Sequence, residues 1–218
     1  GGSIGDPCIM QLPTLSVTPL KQLICNYPNA TVEGLFPLGD QLYFRANTDS
    51  TGKELWVTNG NSGSTRLVKE INTATGSNSN RSTNPTGFTI YGNQLLFTAT
   101  GVSTDYMRSQ QYTGLWATDG SETGTVKLED LMINENPPDN TKVVFKDRIW
   151  FIAQSKTYGD EWRLWVSDGH PGGAQVFETD CRGWKFNRPY GLTVSANLLY
   201  FYAFDDKGSL NLWATDGT

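Results

Sequence analysis

Apolar residues fall at every second position in four short stretches of the chain: Leu42-Tyr43-Phe44-Arg45-Ala46, Leu95-Leu96-Phe97-Thr98-Ala99, Ile149-Trp150-Phe151-Ile152-Ala153 and Leu199-Tyr200-Phe201-Tyr202-Ala203. A period of two, rich in aromatic and branched residues, predicts β-strands. Turn-forming pairs precede them (Gly39-Asp40, Gly92-Asn93, Lys146-Asp147), and upstream of each turn lies another apolar run: 31–36, 87–91, 142–145 and 191–194. Downstream comes a second repeated unit, Leu55-Trp56-Val57-Thr58-Asn59-Gly60, Leu115-Trp116-Ala117-Thr118-Asp119-Gly120, Leu164-Trp165-Val166-Ser167-Asp168-Gly169 and Leu212-Trp213-Ala214-Thr215-Asp216-Gly217. A third follows the first three copies, at 65–71, 125–131 and 174–180. Each repeat therefore reads as four strands, A to D, with the Leu-x-Phe-x-Ala unit as B and the Leu-Trp unit as C.

The leucines opening the C units are 60, 49 and 48 residues apart. Four strands per repeat at that period predict an all-β, four-bladed β-propeller of four-stranded antiparallel blades. A solenoid is the competing architecture, but its repeats are usually shorter and its ends need caps. The blades are expected at about 31–71, 84–131, 140–180 and 188–218, after an N-terminal extension over 1–17. The last copy ends without a strand D, whereas Thr18-Pro19-Leu20-Lys21-Gln22-Leu23-Ile24 matches the Thr65 to Ile71 pattern at its threonine, its third-position leucine and its closing isoleucine. Segment 18–24 is accordingly expected to pair with strand C of the fourth copy and close the ring. Pro19 is tolerable there on an edge strand. In the Thr/Ser-Asp-Gly element, Asp caps a turn and Gly supplies positive φ, so the aspartate reads as structural. The four repeated tryptophans read as filling between neighbouring sheets.

These motifs resemble the ELWxxDGT repeat proteins, in which Glu-Leu-Trp-x-x-Asp-Gly-Thr is followed by Gly-Thr-x-Leu-Val-Lys-Asp-Ile. Glu54-Leu55-Trp56 keeps the glutamate, and Gly114, Arg163 and Asn211 replace it in the later copies. The resemblance covers almost everything after residue 17. It implies propeller-like repeats in large secreted or surface proteins, and it brings no catalytic residues to carry over.

Composition narrows the class of partner. Charged residues make up 18% of the 218, and 17 Lys+Arg against 22 Asp+Glu leave a net charge of −5, which argues against nucleic acid or an anionic membrane, since both need a basic face. No apolar run is long enough to insert into a bilayer. The chain opens on Gly1-Gly2 without an initiator methionine, which reads as a mature form or a fragment. Three cysteines with one distant histidine fit no metal motif, and no metal or cofactor is expected. Sequons at Asn29 and Asn80, with abundant Gly, Asn, Ser and Thr, point to a secreted or cell-surface glycoprotein. One disulfide is expected, Cys8–Cys25, with Cys8–Cys181 as the alternative; Cys25 and Cys181 sit at matching strand ends of different blades and should lie too far apart.

In an A-B-C-D meander the B–C and D–A connections share one end of the propeller, and here they are the long, variable ones. Variable loops on a rigid scaffold are the usual seat of binding. The candidate ligand-binding residues are Tyr106, Arg108, Tyr112, Tyr158, Trp162, Trp184 and Arg188, because aromatics beside arginines suit glycan or protein recognition. Catalysis has little support. His170 lies in a C–D turn, and no Gly-x-Ser-x-Gly or His-Glu-x-x-His motif occurs. The acidic pairs Asp160-Glu161 and Asp205-Asp206 leave calcium binding or glycoside hydrolysis as a minor alternative. The reading is an extracellular, non-enzymatic binding or adhesion module for a glycan or protein. The second is a structural subunit that self-associates by strand exchange or propeller stacking, and the third is a glycoside-active enzyme.

Overall fold

The structure, a computed structural model, describes residues 30–61, 63–72, 82–101, 112–133, 141–154, 161–177 and 186–218. The described residues form sixteen strands and no helix. Four separate antiparallel sheets result. The first contains β1 (Thr31–Leu38), β2 (Gln41–Thr48), β3 (Gly52–Thr58) and β4 (Arg66–Leu67) in sequential order. The second contains β5 (Thr86–Tyr91), β6 (Gln94–Gly101), β7 (Tyr112–Thr118) and β8 (Val126–Glu129). The third orders β10 (Lys142–Phe145), β11 (Arg148–Gln154), β12 (Trp162–Ser167) and β13 (Gln175–Val176), and β9 (Met132–Ile133) also pairs with β11. The fourth is β14 (Phe186–Ser195), β15 (Leu198–Asp205) and β16 (Leu210–Thr215).

Each A–B hairpin closes on two residues, as the pairs Leu38↔Gln41, Tyr91↔Gln94, Phe145↔Arg148 and Ser195↔Leu198 show. Such tight hairpins need positive φ to match strand twist. Gly39 and Gly92 supply it without strain, whereas Lys146, Asp147 and Ala196 adopt φ of 49°, 55° and 51°. The D strands are shorter than their sequence pattern implied, two residues each in the first and third sheets. In the third sheet the A edge is shared: β9 pairs with Ala153 and Gln154, and β10 with 148–151. The chain thus enters the third sheet alongside strand B before the A strand proper begins.

The repeat dictates how the sheets stack. Residues one, three and five of each B unit face the preceding sheet, and residues two and four face the following one. Leu95, Phe97 and Ala99 accordingly pack with Tyr43, Leu55 and Val57 of the first sheet. Ile149, Phe151 and Ala153 pack with Leu96, Leu115 and Ala117 of the second. Leu199, Phe201 and Ala203 pack with Trp150, Ile152 and Leu164 of the third. The repeated tryptophans lie on the same side as the B-unit phenylalanines. Trp116 stacks on Phe97 and Trp165 on Phe151, with centroids 6.5 and 6.4 Å apart, so they fill the junctions as the sequence led us to expect. Trp165 and Trp213 also donate their indole N–H to the carbonyls of Ala153 and Ala203.

No core cluster of described residues joins the fourth sheet to the first, and the fourth sheet has three described strands where four were expected. Among the described residues the result is an open succession of sheets rather than a closed ring. Segment 18–24, expected to supply the missing strand, lies outside the described residues, as do Cys8, Cys25 and Cys181.

Candidate functional site

The two ends of the sheets are built differently. At one end every C–D turn is locked by the same pair of side chains. The Thr/Ser hydroxyl accepts the N–H of the glycine two residues on: Thr58 from Gly60, Thr118 from Gly120, Ser167 from Gly169 and Thr215 from Gly217, at 2.9–3.1 Å. The following Asn or Asp accepts the next N–H but one: Asn59 from Asn61, Asp119 from Ser121, Asp168 from His170 and Asp216 from Thr218. These hydrogen bonds hold the carboxyl groups below the usual aspartate range, through the Ser121 hydroxyl at Asp119, the His170 amide at Asp168 and the Thr218 hydroxyl at Asp216. The glycines take φ of 82° to 91°. Three of these turns also dock on the preceding sheet. Gly120 faces Gln41 and the Tyr43 hydroxyl, Gly169 faces the Tyr91 ring, and Gly217 faces Phe145 and Trp150. Arg66 donates to the Gly120 carbonyl at 2.6 Å, and Tyr91 donates its hydroxyl toward the carbonyls of Asp147 and Asp168. Three of the four turns at this end thus help hold one sheet to the next.

The opposite end gathers the long connections, which run from β6 to β7, from β11 to β12, and between successive sheets. Of the residues the sequence singled out, Trp162 opens β12 and packs, partly buried, against the core between the third and fourth sheets. Arg188 is exposed on β14 at a register shift between Asn187 and Tyr190, with φ of 50°. The β12 and β14 strands touch, so the two residues share one end of neighbouring sheets. Tyr112 opens β7 opposite Gly101. Tyr106, Arg108, Tyr158, Trp184, Asn29 and Asn80 lie outside the described residues.

A buried carboxylate beneath this same end is absent from the sequence-derived candidates. Glu54, the glutamate of the Glu-Leu-Trp motif, is fully buried on β3. It accepts the Thr83 hydroxyl at 2.5 Å and the Thr83 N–H at 3.2 Å. Lys53 donates its N–H to the Ser82 hydroxyl, and the Lys53 carbonyl accepts the N–H groups of Thr83 and Asn84. Burial pushes the Glu54 carboxyl up to about 8, against the two Thr83 hydrogen bonds. Glu54 thus pins the segment that leads into the second sheet. The signal was its presence in the first copy alone, since Gly114, Arg163 and Asn211 hold the equivalent place elsewhere.

Asp205 and Glu161, from the acidic pairs the sequence singled out, are engaged locally. Asp205 accepts N–H groups from Lys207 and Ser209 and the amide of Asn211, which closes the β15–β16 turn. Arg163 pairs with Glu161 at 2.9 Å. His170 is exposed in its turn beside Asp168. Among the described residues no group of three His, Cys, Asp or Glu is placed to hold a metal ion, and no helix is long and apolar enough to cross a membrane.

No family model matches the chain, and no curated protein does. Several solved structures are similar to it, among them the following two. The β-propeller domain of the Trilobed protease from Pyrococcus furiosus aligns over 86% of this chain and 55% of its own, at 12% identity and a TM-score of 0.42. An exo-β-1,3-galactanase from Phanerochaete chrysosporium aligns over 84% of this chain and 46% of its own, at 10% identity and a TM-score of 0.37. The chain spans about half the length of these two structures.

Proposed function

We propose that the chain is an extracellular, non-enzymatic binding module, an open arc of four propeller blades that presents a glycan or protein ligand site at the end of its B–C and D–A connections. The observation that carries this reading is the asymmetry of the two ends. Three of the four C–D turns fix sheet to sheet, whereas the long connections emerge at the other end, where variable loops usually carry binding. The engagement of Asp205, Asp168 and His170 in their own turns supports a binding role over hydrolysis.

A glycan array probed with the purified chain tests the reading. Binding to one glycan class is expected, weakened at least tenfold by Arg188→Ala, whose exposed side chain can be removed without disturbing the core. Absence of glycan binding, or binding indifferent to Arg188→Ala and to alanine substitutions at Tyr106 and Arg108, would remove the glycan form of the proposal. Turnover of a bound oligosaccharide would remove its non-enzymatic half.

A further inference from the structure

The chain contains one Asn-Gly pair, Asn59-Gly60, and it occupies the C–D turn of the first sheet, where the other three turns carry Asp119-Gly120, Asp168-Gly169 and Asp216-Gly217. The departure in sequence coincides with a departure in packing. Gly120, Gly169 and Gly217 lie against Tyr43, Tyr91 and Phe145 of the preceding sheets, whereas a Cβ built on Gly60 meets nothing within 4 Å. Asn59, Gly60 and Asn61 are exposed. The Asn59 side chain folds back along the chain, and its Oδ1 accepts the Asn61 N–H at 3.1 Å. The loop of atoms closed by that bond contains both Cγ of Asn59 and the Gly60 nitrogen. The Asn61 N–H also polarises the side-chain carbonyl, since it is aimed at the oxygen on which charge develops when Cγ is attacked. The Gly60 N–H is donated to Thr58 Oγ1 at 3.1 Å, and Thr58 is buried with its hydroxyl tied further to Ser64 and Thr65. The three docked turns differ in chemistry as well. Hydrogen bonds hold their carboxyl groups below the usual aspartate range, so they are carboxylates at neutral pH and poor electrophiles.

We propose that Asn59 is a site of spontaneous covalent modification, deamidation through a succinimide, gated by the hydrogen bond between Gly60 and Thr58. When that bond opens and the Gly60 N–H gives its proton to solvent base, the nitrogen attacks Cγ of Asn59. The N–Cγ bond forms, the Cγ–Nδ2 bond breaks, and Nδ2 takes a proton from water and leaves as ammonia. Water then adds to either carbonyl of the cyclic imide and reopens it, giving aspartate or isoaspartate at position 59. The net reaction consumes one water and releases one ammonia, with no oxidation or reduction. Glycine is what lets the ring close: no Cβ crowds the attacking nitrogen, and no neighbouring sheet packs against Gly60. The aspartate product restores the pair found in the other three turns and adds a negative charge. The isoaspartate product inserts a methylene into the main chain, so the Gly60–Thr58 and Asn61–Asn59 hydrogen bonds cannot both be kept. The turn lies at the end opposite the long connections, so the reaction leaves the proposed binding end untouched.

Incubation of the full chain in warm, mildly alkaline buffer, followed by tryptic mapping of the peptide that spans 54–66, tests the proposal. A gain of one mass unit, located at position 59 by fragmentation, is expected to grow with time and to resolve into an aspartate and an isoaspartate product. Gly60→Ala should slow the conversion at least tenfold. Thr58→Val should speed it at least threefold, because it removes the acceptor that holds the Gly60 N–H, whereas Thr58→Ser, which keeps the hydroxyl, should react at the wild-type rate. An unmodified position 59 in the full chain, over a time in which the same peptide converts when synthetic and free, overturns the proposal. Conversion as fast in Gly60→Ala as in the wild type overturns the succinimide route, and equal rates in Thr58→Val and the wild type overturn the gate.

Discussion

At the scale of single residues, the turn aspartates and Glu54 bring opposite pH dependences into one fold. Hydrogen bonds lower the carboxyls of Asp119, Asp168, Asp205 and Asp216, so their contribution is present above the unfolded pKa and is lost as pH falls through the acid range. Glu54 behaves the other way. Its folded pKa of about 8 lies above the unfolded value of 4.5, so the fold favours the protonated acid. Its contribution is intact below pH 4.5 and is lost as pH rises toward 8, a cost on the order of 5 kcal/mol. Glu54→Gln should therefore flatten the alkaline limb of a melting-temperature profile between pH 5 and 8.5 and be the more stable protein at pH 8. An unchanged limb would place the titrating group elsewhere. Asp119→Ala should cost about 1 kcal/mol through loss of the Ser121 hydrogen bonds, read by denaturant unfolding, and should leave ligand binding intact. Ala196, held at φ of 51°, supplies the reverse test: Ala196→Gly should stabilise by about 1 kcal/mol.

Among the elements, the C–D turns allow a comparison within one molecule. Gly60 and Gly120 have similar positive φ, 82° and 91°, but a Cβ on Gly60 meets open space, whereas one on Gly120 would lie 2.5 Å from Gln41 and 2.7 Å from Tyr43. Gly60→Ala should cost only the backbone term, about 1 kcal/mol, and Gly120→Ala should cost that plus a displaced sheet contact, at least twice as much in chemical denaturation. Equal costs would mean that the turn does not lock the first sheet to the second. Strands A, B and C were legible in the sequence because period-two alternation and two-residue turns are local signals, and the register bears out Leu42 to Ala46 and its three counterparts. Strand D was overread: the Thr65 to Ile71 pattern shrinks to Arg66–Leu67, since sequence similarity marks the turn-proximal half that pairs with Trp56 and Val57. The split A edge of the third sheet was not anticipated: Met132 and Ile133 pair with Gln154 and Ala153, and Ile133 is buried in the junction with the second sheet. The site was less legible than the fold. Trp162 also packs, partly buried, against a sheet junction, and the role of Glu54 became legible only through its burial beside Thr83.

For the whole molecule, the sheet junctions set how stability is distributed. Each junction is a separate apolar cluster, so the second and third sheets are held on both faces, whereas the fourth is held on one. A stack in which each unit touches only its neighbours behaves as a one-dimensional chain, with its least supported unit at the free end. Native-state hydrogen exchange should follow this order. Amides of β6 and β11, whose side chains are buried on both faces, should exchange only with global unfolding, and those of β15 should open at lower free energy. Closure of the ring would erase the gradient, because the Tyr202 and Leu212 face would be covered and β15 would match β11. A profile in which all four B strands are equally protected would mean that the fourth sheet is covered within a single chain, and the open arc would have to be given up.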